Sequence, residues 1–173
     1  VLATTTDAND RLLKNEGKII PQGGSIKVAL IGSSHEVINA TAIGKVHGFD
    51  LSKFNAIAQR KFSLKLANKP VFVSCPQEVF NFDLRARNVM EKEEKTIKLR
   101  AIRDGVCIGL IQWLWIHLYK DIEYENKPGE VYSHWPTPIY LFEKPVSLKK
   151  GEIVEIRALR GSDSVWFYQQ SSV

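Results

Sequence analysis

Apolar and polar positions alternate with a period of two over much of this chain, and that alternation predicts strands. The first such run, "SIKVALIGS" (25–33), is rich in β-branched residues. From residue 71 onward the pattern is β throughout. "PVFVSCP" (70–76) reads as a short extended segment and "EVFNFDLR" (78–85) as an alternating strand. "KTIKLRAIRDGVCIGLIQWLWIHLY" (95–119) reads as a hairpin about Arg103-Asp104-Gly105, since Asp-Gly favours a two-residue turn. Its second strand puts Trp113 and Trp115 on one face, with Leu114, Ile116 and Leu118 on the other. "TPIYLFE" (137–143), "GEIVEIRAL" (151–159) and "DSVWFYQ" (163–169) supply three more strands.

Two stretches break the period. "TTTDANDRLLKNEGKIIP" (4–21) predicts a short amphipathic helix through Asp7, Ala8, Leu12 and Leu13, with Gly17 as its C-cap. Its apolar face is narrow, so it is expected to pack on something outside the chain. "HGFDLSKFNAIAQRKF" (47–62) predicts a helix from Asp50 as N-cap, with Phe49 and Phe54 as a hydrophobic staple. Leu51, Phe54, Ile57 and Ala58 then share a face. The spacing leaves two readings open: a cap over a barrel end, or an excursion that docks on another subunit. Many short strands without helices between them give the fold class: mainly β, an antiparallel β-barrel or sandwich, with an N-terminal helix and a helical segment inserted at 47–62.

Composition adds limits. The 173 residues are 44% hydrophobic and 25% charged, enough for one domain with a core. The net charge of +5 is modest. Its basic residues interleave with acids, as in "EKEEKTIKLR" (91–100), so a solvated face is expected and nucleic-acid binding is not. Cys75 and Cys107 lie far apart in apolar segments. They lack metal-ligand spacing, so two buried thiols and no metal site are expected. No apolar run reaches the ~18 residues of a membrane span. The opening segment lacks signal-peptide features, which makes a cytoplasmic setting the expectation, or a nuclear one in a eukaryote. The only methionine is Met90, so the chain reads as a piece of something longer.

No nucleophile elbow, P-loop or dinucleotide-binding glycine pattern occurs. His35 is expected in a polar loop and His117 within an apolar strand. The remaining question is "EVYSHWPTPIYLF" (130–142), where His134 and Trp135 stand together between a polar loop and a strand. One reading is a tryptophan covering the barrel end beside an incidental histidine. The other is chemistry on a cationic substrate.

Taken in order, several segments resemble the C-terminal half of the protein arginine N-methyltransferases. They are "RLLKNEGKIIP" (11–21), "HGFDLS" (47–52), "GLIQWLWIHL" (109–118), "YSHW" (132–135) and "PVSLKKGE" (145–152). Ser133 replaces the family's usual Thr, Pro136 and Thr137 replace Lys and Gln, and Leu114 stands where Phe is usual. The resemblance implies that residues 1–21 end a cofactor domain and its linker helix. Residues 22–173 would then form the barrel, with a dimerisation arm at about 44–68 carrying Gly48, Phe49, Asp50, Leu51 and Phe54. It further implies a homodimer through the arm and a protein substrate bearing arginine side chains. S-adenosylmethionine would be bound by the full-length parent and not by this chain, which alone is expected to be inactive. On the substrate side it implies His134 as the catalytic imidazole facing an acid outside the chain, with Trp135 and Ser133 beside the substrate. The alternative is a non-catalytic module for self-association and partner binding. A third reading, a small-ligand barrel, requires an enclosed pocket lined by Trp113 or Trp115.

Overall fold

The computed structural model describes residues 2–86, 92–130 and 133–170. Met90, Glu91 and Tyr132, which enter the sequence reading, lie outside them. In chain order the elements are α1 (Leu2–Arg11), β1 (Gly23–Gly32), α2 (His35–Thr41), β2 (Lys45–Val46), β3 (Phe49–Asp50), β4 (Lys61–Leu64) and β5 (Gln77–Asp83). They continue as β6 (Glu93–Arg100), β7 (Gly105–Tyr119), β8 (Ile122–Glu125), β9 (Thr137–Leu148), β10 (Ile153–Arg160) and β11 (Val165–Gln169). A short 3-10 helix spans Ser52–Ala56. The mainly β, antiparallel fold expected from the alternation is the fold observed.

The strands form a large sheet in the order β4-β9-β7-β1-β5, with β8 added to β7, and a small sheet in the order β11-β10-β6. Between the sheets, Val28 and Leu30 of β1, Phe80 of β5, Leu110 of β7 and Tyr140 of β9 meet Leu99, Ile156 and Phe167 from the small sheet. Side chains fill the space between the two sheets. A second apolar cluster covers the opposite face of the large sheet, where Ala29, Ile31, Ile111, Trp113 and Ile139 pack with Val37 of α2 and Leu66. This double covering explains why "SIKVALIG" is apolar almost without interruption, for β1 is covered on both faces. Gly109 lets β7 and β9 close, since a Cβ there would stand 2.3 Å from the Tyr140 carbonyl oxygen.

Four expectations are corrected. The stretch 95–119 is not a hairpin: β6 pairs with β10, while β7 pairs with β1 and β9. The burial patterns give the reason. β6 alternates and has one wet face, whereas β7 is covered on both sides through its middle, so they belong to different layers. Asp104 accordingly accepts from the Lys150 N–H (2.8 Å) across the sheet corner. Gly17 is not the C-cap of the first helix, which ends at Arg11. Gly17 instead closes a later turn by donating to the Lys14 carbonyl, with Glu16 at φ 66°. His35 opens α2 and is not in a loop, because Ser34 caps that helix by accepting from the Val37 N–H (3.2 Å). Cys75 is exposed, not buried, although both thiols are free. Burial pushes the Cys107 thiol up to about 11.

Candidate functional site

The loop between β8 and β9 is held by a small set of bonds. Ser133 is buried, and its hydroxyl accepts from the Tyr124 O–H (3.0 Å) and the Trp135 N–H (3.2 Å). The Ser133 N–H reaches the Glu130 carbonyl at 3.5 Å. Serine and threonine hydroxyls pin backbone in this way when the chain offers N–H groups one or two residues on. Trp135 meets the Tyr124 ring edge to face, with centroids 5.8 Å apart and planes at 89°. Half of Trp135 stays exposed. His134, between these two anchors, is exposed, and no described residue bonds its ring. The loop thus presents an imidazole and an indole outward from a buried hydroxyl.

The support runs back into the large sheet. Tyr124 pairs with Ile116 of β7, and Ile116 in turn pairs with Gly24 of β1. Thr137, two residues past Trp135, pairs with Leu64 of β4 and donates to its carbonyl at 3.2 Å. On the opposite face Glu125 accepts from the Trp113 indole N–H (2.7 Å) and pairs with Lys27 (3.2 Å). Burial pushes its carboxyl up, but the indole and lysine contacts outweigh this and leave it below the ordinary carboxylate range. A cavity of about 150 Å³ lies there, lined by Phe72, Trp113, Glu125 and Glu130 among others.

The second region is the excursion from α2 to β4. Glu36 ties its base shut by accepting from the Ala67 N–H (2.6 Å) and the Asn68 N–H (3.3 Å). The α-helix expected from Asp50 is absent. Instead Val46-His47-Gly48-Phe49 forms a tight hairpin in which β2 pairs with β3. His47 (φ 48°) and Gly48 (φ 88°) both take left-handed backbone, as a type I′ turn demands. Phe49 therefore lies opposite Val46 and forms no helix staple. Asp50 accepts from the Ser52 N–H (3.0 Å), which holds its carboxyl below the usual range, and Leu51 takes the N-cap of the 3-10 helix. The Asn55 side chain bridges both backbone groups of Ile43. This framework holds Ile43, Val46, Phe49, Phe54 and Ile57 in the open, with Phe49 73% and Ile57 82% exposed.

The two-residue "HG" between Val46 and Phe49 was a readable turn signal that the helical reading of 47–62 overrode. Ser34 followed by Glu36 was likewise a readable helix start. Tyr124 as the partner of Ser133 had no local signal, because it joins residues across a loop. Among the described residues no group of three or more His, Cys, Asp or Glu side chains is placed to hold a metal. None of the described helices is long and apolar enough to cross a membrane.

The domain is thus a filled two-sheet antiparallel β-domain with an excursion of exposed apolar side chains outside its core. Residues 36–167 match the family model described as the arginine methyltransferase oligomerization subdomain, and the chain belongs to that family. It is 31% identical over 159 residues to the arginine N(omega)-methyltransferase of Streptomyces achromogenes subsp. streptozoticus, covering 91% of this chain and 44% of the relative. To protein arginine N-methyltransferase 1 of Dictyostelium discoideum it is 26% identical over 161 residues, covering 89% and 47%. The fold is similar to a chain of the Trypanosoma brucei PRMT1 enzyme-prozyme heterotetrameric complex with AdoHcy. The TM-score is 0.73 at 17% identity, with 91% of this chain and 53% of that chain covered. This chain therefore spans about half the length of the curated relatives it matches, and it corresponds to the C-terminal region of an arginine methyltransferase.

Proposed function

We propose that this domain is the barrel and dimerisation portion of an S-adenosylmethionine-dependent protein arginine methyltransferase, and that the Ser133-His134-Trp135 loop forms part of its substrate side. The carrying observation is His134: an exposed imidazole without a partner among the described residues, on a loop anchored at both of its neighbours. The chemistry needs such a group. A guanidinium has a pKa above ~12 and delocalised nitrogen lone pairs. A site must therefore clamp it with carboxylates, aim one nitrogen and remove a proton. An imidazole facing an acid from a preceding cofactor domain serves to orient that acid or carry the proton. Trp135 then forms a wall beside the substrate arginine.

We assign S-adenosylmethionine to another domain of the parent, as the resemblance to the arginine methyltransferases implies. The excursion docks on a second subunit: its exposed apolar side chains are held by Asn55, Glu36 and the hairpin, so little ordering cost is left to binding.

The test is His134→Ala in the full-length parent, read as methyl transfer to an arginine-containing peptide. A fall in kcat of about 100-fold is expected, within the ~10²–10⁴ typical of a general acid–base group, with S-adenosylmethionine affinity unchanged. Full activity in that variant rejects the role. Retained binding of partner proteins by a parent that transfers no methyl group at all would favour the non-catalytic module.

A further inference from the structure

Resting on that assignment of His134, we propose that Tyr124 is the positioning residue of the rim loop, fixing where the imidazole stands. Two independent contacts converge on it. Its hydroxyl donates to the Ser133 hydroxyl at 3.0 Å, and its ring takes the edge-on contact with Trp135 at 5.8 Å. Ser133 and Trp135 are the residues on either side of His134, so one side chain grips both shoulders of the loop. Ser133 is buried while His134 is exposed, so the histidine has no packing of its own to locate it. Tyr124 itself is set by backbone pairing to Ile116 in the 15-residue central strand β7. A line of rigid contacts therefore runs from the sheet interior to the loop, and it ends one residue short of the imidazole on each side.

The hydroxyl matters apart from the ring. Ser133 Oγ accepts from both Tyr124 and the Trp135 N–H, and its remaining proton points to the Trp135 carbonyl at 3.5 Å. Removing the phenol oxygen leaves the buried serine with one donor fewer and frees the turn to rotate. A misplacement of about 1 Å at a reacting group is enough to cost much of the rate.

The experiment compares Tyr124→Phe, Ser133→Ala, the double variant, Ser133→Thr and His134→Ala in the full-length parent. Tyr124→Phe keeps the ring and should lower kcat on the order of five-fold, the worth of one neutral hydrogen bond. The peptide KM, S-adenosylmethionine affinity and melting temperature should stay unchanged. Ser133→Ala should do the same, the double variant should lose no more than either single one, and Ser133→Thr should restore the rate by returning a hydroxyl. Full kcat in Tyr124→Phe alongside a dead His134→Ala overturns the positioning role and leaves the histidine's role standing. Multiplying losses in the double variant also overturn it, since they separate Tyr124 from Ser133. Full activity in His134→Ala removes the histidine assignment and this inference with it.

Discussion

β1 and the excursion that follows it are both rich in isoleucine, valine and leucine or phenylalanine, yet they treat those residues in opposite ways. In β1, Val28, Leu30 and Ile31 are fully buried between two apolar clusters. In the excursion, Ile43, Val46, Phe49, Phe54 and Ile57 face solvent. The first set stabilises the chain by itself. The second contributes nothing to folding until another surface covers it, which is the role we propose for it. Apolar content alone therefore does not distinguish core from exposed surface. What distinguishes them is whether the backbone is paired on both sides, as in β1, or closed on itself by a two-residue turn and an asparagine bridge.

The contrast can be broken from either end. Phe80→Ala in the core should cost about 3–5 kcal/mol in urea unfolding, because a fully buried ring packed 6.3 Å from Phe167 leaves a cavity that the sheets cannot close. A loss below about 1 kcal/mol would mean that the two sheets are not tightly packed. In the excursion, Phe49→Ser with Phe54→Ser should move unfolding of this chain by less than about 0.5 kcal/mol. In the full-length parent the same pair should weaken self-association on the order of 100-fold by sedimentation, as expected for two aromatic anchors. The reverse pattern, a stability loss with association intact, would make these residues a private cap over the barrel end.

The same contrast sets what the sequence could disclose. Strands with one wet face or two covered faces announced themselves through alternation, so β1, β5, β9, β10 and β11 lie where the pattern puts them. Pairing did not follow from it. β6 and β7 are neighbours in sequence joined by Asp-Gly, and local turn chemistry favours a hairpin. The difference in covering sends them to separate sheets, and that competition is settled by tertiary packing. The excursion misled for the opposite reason: Leu51, Phe54, Ile57 and Ala58 repeat at helical spacing, but they have no core to face, so nothing rewards a full α-helix. At the rim, His134 and Trp135 stood out as residue types. Their anchoring by Tyr124 joins residues that only the fold brings together. The Thr137–Leu64 pairing, which ties the end of the excursion to the start of β9, is of the same kind.

Two aspartates carry the contrast to its finest grain. Asp50 in the excursion accepts from Ser52 two residues on, so it orders only its own turn. Asp104 at the sheet corner accepts from the Lys150 N–H at 2.8 Å and meets the Lys149 ammonium at 3.3 Å, bonding segments 46 residues apart. Both carboxyls lie below the ordinary value of 3.8, Asp104 chiefly through the Lys150 N–H and then through Lys149. A carboxyl whose folded pKa is depressed stabilises the fold above its unfolded pKa, and that contribution disappears as pH falls through the folded value. The melting temperature should therefore drop below about pH 4. Asp104→Asn should flatten that drop, because asparagine keeps an acceptor for the Lys150 N–H but removes the titrating charge together with its ion pair to Lys149. Asp50→Asn should leave the curve as it was, since a local turn in a segment outside the core does not limit global unfolding. The shift at Asp104 should be small, for the group is exposed and its lysine partner is screened. Parallel melting curves for the wild type and Asp104→Asn from pH 6 to pH 3 would show that the corner is held by packing alone. A flattened curve in Asp50→Asn would show that the excursion unfolds with the core, and the division between the two regions would then lie elsewhere.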